Sequence, residues 1–379
     1  MSRSRSRSTQ AGHRTIPLGV LRVTAVLCAS TAAWIGVGCP VAIGDESPRV
    51  LLASASQIQE AGLDAIRRQG YFSVAISLTR HAGETRDMQR SVAERIAASP
   101  LELAYWIEIG RCVELAESNP RWMASLQGHS EWRRLFPKFP QPAGDEIVKN
   151  YPWVPIGYQE AFEAHRERVR KLLEGLPPPR TIYLNDLQAA PSACGCGHSL
   201  CRWTTDYGPL RTATRLDDRA SARFVSAIQE MAPTAGIVPV LATECEQADK
   251  EEVCGGVGCF DGICWRAFSK QLDPLAQVSP TIGLLTLYRL FDRDRPRYGP
   301  TAGWVGHALE SLQSMPPIRD GIAVPAARLA AVVQGWDVSE EQLRAQVEQA
   351  NRHGVRQIVV ARTPIEQSWE PRIIKRSGP

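Results

Sequence analysis

Three acidic residues stand at the ends of apolar runs in this chain: Asp186, Glu244 and Asp337. A carboxylate that follows a buried strand is costly to desolvate unless it is paired or used. Two such carboxyl groups near each other can supply an acid and a base, or an acid and a nucleophile, for cleavage of a glycosidic bond. We therefore take these three residues as candidate catalytic groups.

Other polar and aromatic side chains follow the same kind of apolar run. Aromatic faces stack on sugar rings, and a few placed polar groups orient a ligand. This pattern predicts a carbohydrate or another small polar ligand as the partner. The candidate binding residues are Glu108, Arg111, Tyr288, Arg289, Trp336 and Trp369.

A structural explanation of the same residues stays open. Asp186 and Glu244 could pair with Arg111 or Arg289 in a buried network that only stabilises the fold. Asp337 could serve as a helix cap together with Ser339.

Eight cysteines follow position 44, most of them in two short stretches. Thiols this clustered are cross-linked or bind a metal, and export with an even count favours disulfides. The spacing lacks the CxxC pairs common in zinc sites, so no metal and no cofactor is predicted, although zinc or an iron–sulfur cluster remains an alternative. The residues are Cys112, Cys194, Cys196, Cys201, Cys245, Cys254, Cys259 and Cys264.

The elements that must position these residues alternate between strand-like and helix-like segments. Eight apolar runs, each followed by a helix, predict parallel βαβ units closed into a single-domain (β/α)8 TIM-type barrel; a doubly wound open sheet is the alternative. Residues 111–155 form an insertion after the third strand. The predicted strands are 49–54, 71–79, 101–110, 181–188, 236–244, 281–289, 328–337 and 356–363.

The first 44 residues resemble an export signal, with a basic start, an apolar segment over 23–38 and a small-residue cleavage site before Asp45. A lipoprotein anchored through Cys39 is an alternative. Removing residues 1–44, which contain five arginines and no acidic residue, changes the net charge from +4 to −1. The remaining domain, 45–379, has no basic stripe for nucleic acid and no further membrane span is predicted.

The order of the acidic residues on the fourth, fifth and seventh strands is similar to the acidic trio of alpha-amylase-type glycoside hydrolase barrels. That resemblance implies Asp186 as the nucleophile, Glu244 as the acid/base and Asp337 as a stabilising group. The flanking residues depart from that family, since Leu184 stands where it has an arginine. The chain also resembles exported bacterial (β/α)8-barrel proteins that share the phrases CGCG…CRWTTDYGP and TECE…VGCF…CW, a likeness that brings no activity with it.

Two hypotheses follow. The first is an exported, glycoside hydrolase-like barrel that acts on a carbohydrate through its strand-end carboxylates. The second is a catalytically inactive barrel that binds a glycan or another partner on its cysteine-rich face. A metal-dependent hydrolase that uses the cysteine cluster is a weaker alternative, because the histidines form no HxH or HExxH motif.

Overall fold

The structure is a computed structural model. It describes residues 47–78, 83–123, 126, 136–187, 219–242, 259–260, 263–264, 274–288, 301–313, 324–365 and 370–375. The predicted signal, 1–44, lies outside these residues.

Eight parallel strands form a closed barrel, in which each strand pairs with the next barrel strand along the chain and the last pairs with the first. All eight predicted strands are present, so the prediction of a (β/α)8 barrel is confirmed. Their apolar runs suit strands that are buried on both faces. The barrel strands are β1 (Arg49–Ala53), β2 (Tyr71–Ser77), β3 (Glu102–Glu108), β5 (Thr181–Asn185), β6 (Gly236–Ala242), β9 (Ile282–Leu285), β10 (Leu329–Gln334) and β11 (Gln357–Ala361).

Helices surround the barrel. The helical segment after β1 is divided at Gly62, whose φ of +74° suits a residue without a side chain. The helices are α1 (Ala55–Ala61), α2 (Leu63–Arg68), α3 (Arg86–Ala97), α4 (Val113–Ser118), α5 (Gln159–Leu173), α6 (Ala220–Met231), α7 (Gly303–Gln313) and α8 (Glu340–Arg352), with 3-10 turns at Pro120–Trp122 and Ala326–Arg328. No helix among the described residues is long and apolar enough to cross a membrane.

Two small antiparallel sheets were not predicted. Strand β4 (Glu146–Tyr151), from the insertion, pairs with β12 (Glu370–Lys375) near the end of the chain. A two-residue strand, β7 (Cys259–Phe260), pairs with β8 (Ile263–Cys264). The first sheet ties the insertion to the C-terminal segment.

Side chains of the barrel strands alternate between two apolar cores. One core lies between the strands and the helices. The other fills the inside of the barrel and includes Trp106 and Tyr183, whose rings stack with centroids 5.8 Å apart. The Tyr183 hydroxyl accepts a hydrogen bond from Gln357 Nε2 at 2.8 Å. The interior is therefore packed, and in this fold a ligand site lies at the ends of the strands.

Candidate functional site at the carboxyl ends of the barrel strands

Glu108, the last residue of β3, is a buried carboxyl group at the end of the barrel where chemistry gathers in this fold. It lies two residues after Trp106 and therefore on the same, inward face of the strand. Trp106 Nε1 donates to Glu108 Oε1 at 2.6 Å. Asn185 Nδ2, from the end of the neighbouring strand β5, donates to Glu108 Oε2 at 2.7 Å. Both carboxyl oxygens are thus held in place.

The surroundings of Glu108 raise its pKa from 4.5 to about 7. Burial is the largest cause, and the negative charge of Asp186 adds to it. The hydrogen bonds from Trp106 and Asn185 and the charge of Arg111 oppose the rise. A carboxyl group with a pKa in this range can both give and take a proton near neutral pH.

Asp186 is the second buried carboxyl group, and it is paired. Arg111 Nη1 forms an ion pair and hydrogen bond with Asp186 Oδ2, with both side chains almost fully buried. Burial raises the pKa of Asp186, and the neighbouring Arg111 guanidinium opposes the rise. Asp186 Oδ1 is also buried and has no hydrogen-bond partner among the described residues. The backbone of Asp186 has a φ of +53°, which turns the chain out of strand β5.

The insertion holds Arg111 in position. The guanidinium lies 4.6 Å from the ring centre of Trp153, and the two residues also form an isolated β-bridge. Val154 N donates to Gly110 O at 2.9 Å. A Cβ atom on Gly110 would stand 2.8 Å from the carbonyl oxygen of Asp186, so only glycine permits this approach of the two strand ends.

Trp336 and Tyr288 lie on opposite sides of the barrel wall. Trp336 belongs to the cluster inside the barrel, and Gln334 Nε2 donates to its carbonyl oxygen at 3.0 Å. Tyr288 packs edge-on against Trp304 of α7 and accepts a hydrogen bond from Gln342 of α8 at 3.0 Å. Both were predicted as binding residues, and the structure places Tyr288 against the surrounding helices and Trp336 inside the barrel.

Asp337 is exposed and has a φ of +51°. It does not cap α8, because Ser339 does so: its hydroxyl accepts from Gln342 N, and the Gln342 side chain accepts from Ser339 N. The cap suggested for Asp337 therefore belongs to Ser339 alone. Asp337 stands beside Trp336, outside the buried carboxyl pair.

Several predicted residues fall outside the described part of the chain. Glu244, Arg289 and Trp369 are among them, as are the cysteines Cys194, Cys196, Cys201, Cys245 and Cys254. Cys112 is described: its thiol is free and buried, and burial raises its pKa. For Cys259 and Cys264 the backbone is described, and the two residues are direct partners across the β7–β8 ladder. Within the described ranges no group of three acidic, histidine or cysteine side chains could hold a metal ion.

Trp106 and Asn185 both donate hydrogen bonds to Glu108, although neither residue was predicted to take part in the site. The sequence did indicate that Trp106 and Glu108 share a face of β3, because they are two residues apart and side chains alternate between the faces of a strand. What could not be read is which face of β3 points inward, because residues on both faces are apolar. Glu108 was predicted as a binding residue, and its raised pKa also suits it to exchange a proton.

These elements define a (β/α)8-barrel protein with two buried carboxyl groups in contrasting surroundings at the carboxyl end of the barrel. No protein-family model and no curated protein matches the chain. It is similar in fold to a GH18 chitinase from Pseudoalteromonas aurantia, with 6% identity, 84% of this chain and 94% of that chain covered, and a TM-score of 0.41.

Two further solved structures have the same kind of likeness. The intracellular xylanase TsXylA of Thermoanaerobacterium saccharolyticum is 10% identical, with 86% of this chain and 90% of that chain covered and a TM-score of 0.42. A D-psicose 3-epimerase is 9% identical, with 85% and 86% covered and a TM-score of 0.33. At these identities the likeness concerns the fold alone.

Proposed function

We propose that this protein is an exported carbohydrate-active barrel of the glycoside hydrolase type, in which Glu108 transfers a proton at the barrel mouth. The observation that carries the proposal is the contrast between two neighbouring buried carboxyl groups. Arg111 offsets the negative charge of Asp186, whereas Glu108, which has a pKa of about 7, forms no ion pair with a cation among the described residues. Buried carboxyl groups in such different surroundings are suited to different roles in proton transfer.

The other acidic residues named above supply the remaining carboxyl groups of the proposed reaction. Arg111 favours the charged form of Asp186, and that carboxylate stabilises positive charge that develops on the sugar ring. Glu244, at the end of the next predicted strand, supplies the acid or base on the other side of the bond. Asp337 and Trp336 contact the sugar further along the rim, where an exposed acid and an aromatic ring suit a polar ring-shaped ligand.

Export and the cysteines belong to the same proposal. Residues 1–44 direct the chain out of the cytoplasm, where thiols can be oxidised. Disulfides among the seven cysteines from Cys194 to Cys264 then brace the two loops that follow β5 and β6. In this fold the loops that follow successive strands are neighbours at the mouth of the barrel, the end at which Glu108 and Asp186 lie.

The test is a panel of polysaccharides and oligosaccharides incubated with the wild type, Glu108→Gln and Glu244→Gln. Glutamine keeps the shape of the side chain but cannot transfer a proton, so turnover should fall by about 10²–10⁴-fold while glycan binding is retained. Glu102→Gln is the matched control, because it removes an exposed carboxyl group from the opposite end of the same strand. It should leave turnover unchanged.

Two outcomes would change the proposal. Full turnover by Glu108→Gln would remove Glu108 from the reaction. Glycan binding by the wild type with no hydrolysis across the panel would instead identify a binding barrel, in which Glu108 and Asp186 only shape the mouth. One observation favours the binding barrel: Arg111 already occupies one carboxylate oxygen of Asp186 within the protein.

A further inference from the structure

Among the described residues, one side of the barrel has no outer helix. The last barrel strand, β11, ends at Ala361, and β12 begins at Glu370, so only residues 362–369 lie between them. These eight residues are too few for a helix the length of α8 followed by a connection back to β4, the partner of β12. The outer face of β11 beside α8 is therefore left without the eighth helix that this fold normally provides.

A groove of about 380 Å³ occupies this position. Its apolar part is formed by Tyr71 and Val360 of the barrel and by Leu343 and Val347 of α8. Charged and polar side chains complete its lining: Arg49, Glu340, Arg344, Glu348 and Asn351. Apolar surface flanked by charged groups is the pattern of a surface that a second protein covers.

The exposed face of α8 carries charges in strict alternation. Glu340, Arg344, Glu348 and Arg352 are all exposed and stand four residues apart, so they form one row along the helix. Glu348 pairs with Arg352, and Glu340 pairs with Arg362. Within the described chain, Arg344 forms no ion pair, although it lies on the groove.

We propose that this face is a self-association surface, on which α8 packs antiparallel to α8 of a second copy of the chain. A two-fold axis at the level of residue 346 brings Arg344 opposite the second copy's Glu348, and Glu340 opposite its Arg352. Each contact then occurs twice, as a two-fold interface requires. The same arrangement lays the helix of the second copy along the exposed side of α8, beside the open side of the groove.

The size of the surface predicts how strong the association is. A helix of 13 residues is about 20 Å long, so the contact is smaller than the roughly 1,200–2,000 Å² of a stable interface. Charged pairs at such a surface are screened by salt. We therefore expect a weak dimer whose dissociation constant rises with ionic strength.

Sedimentation velocity of the purified full chain over a concentration series tests the proposal. The wild type should show a monomer–dimer equilibrium at low salt. Arg344→Glu places like charges opposite each other twice in every dimer and should weaken association by about tenfold or more. The double variant Arg344→Glu/Glu348→Arg exchanges the two signs, restores both pairs across the axis and should recover the dimer.

A charge change elsewhere provides the control. Arg95→Glu alters an exposed arginine on α3 to the same extent and should leave association unchanged. A wild type that stays monomeric throughout would overturn the proposal, since the charged row is then only a solvated helix face. A dimer that Arg344→Glu does not weaken would place the interface elsewhere and would overturn it equally.

Discussion

Asn185 Nδ2 donates to Glu108 Oε2 over 2.7 Å, and this bond joins the carboxyl ends of two neighbouring barrel strands. Trp106 holds the other carboxyl oxygen from inside the barrel. Because both oxygens are fixed, the behaviour of Glu108 depends on the charges around it and not on where its side chain rotates. Asp186 directly follows Asn185, and its negative charge raises the pKa of Glu108.

Replacing Asp186 with asparagine should lower the pKa of Glu108 below its value of about 7. The change removes a negative charge that raises this pKa and leaves Arg111, whose charge lowers it. The measurement is the carboxyl carbon shift of isotope-labelled glutamates against pH, with the Glu108 signal assigned through Glu108→Gln. Asp337→Asn, at an exposed aspartate, is the control and should leave the titration in place. A Glu108 pKa that is unchanged or higher in Asp186→Asn would contradict the electrostatic coupling.

The free energy of unfolding should fall as pH rises from about 4.5 to about 7, through the contribution of Glu108. Its pKa is higher in the folded protein than in an unfolded chain, so the folded state binds more protons in this window. The raised pKa of Asp186 acts in the same direction. Urea unfolding at about pH 5 and about pH 7.5 should show a smaller difference for Glu108→Gln than for the wild type or for Glu102→Gln. Equal differences in all three proteins would mean that Glu108 titrates normally.

Arg111→Ala should destabilise the protein by about 3–5 kcal/mol, because it leaves the buried Asp186 carboxylate without its cation. The matched control is Arg166→Ala, which breaks an exposed pair of 2.7 Å with Glu163 and should cost less than about 1 kcal/mol. Arg111→Ala combined with Asp186→Ala should be less destabilising than Arg111→Ala alone, since no unpaired charge remains. Chemical denaturation of the four proteins measures these differences, and similar losses for Arg111→Ala and Arg166→Ala would speak against a buried pair.

Cys259 and Cys264 should be found as one disulfide in the exported protein. Their backbones are direct partners across an antiparallel ladder, and the Cα separation in such pairs, about 4.5–5.5 Å, falls within the range of disulfides. Peptide mapping without reduction should recover the two residues in a single linked fragment. Recovery of both as alkylated thiols, or of a protein that loses zinc on unfolding, would favour the alternatives to a disulfide.

The eight barrel strands could be predicted from sequence because each is a continuous apolar run between polar segments. The polar segments that follow the strands were predicted to contain helices. That pattern depends on neighbouring residues only, and it suffices for parallel strands buried on both faces. The sheet of β4 and β12 could not be predicted, since its strands are more than 200 residues apart and their pairing depends on contacts between distant segments. The helix predicted after the eighth strand is not found among the described residues for the same reason, because only residues 362–369 separate β11 from β12, which belongs to that sheet.

The pattern of apolar runs was enough to predict that polar residues follow the strands, with Glu108, Arg111 and Asp186 among them. The contacts of each of these residues depend on the tertiary structure. Strand direction and register set Glu108 inward against Asn185, whereas the φ of +53° at Asp186 turns its carboxylate to Arg111. The physical reason is that a carboxyl group takes its charge state from burial and from the charges nearest to it in space. Those neighbours come from β3, β5 and the insertion, which meet only when the barrel closes.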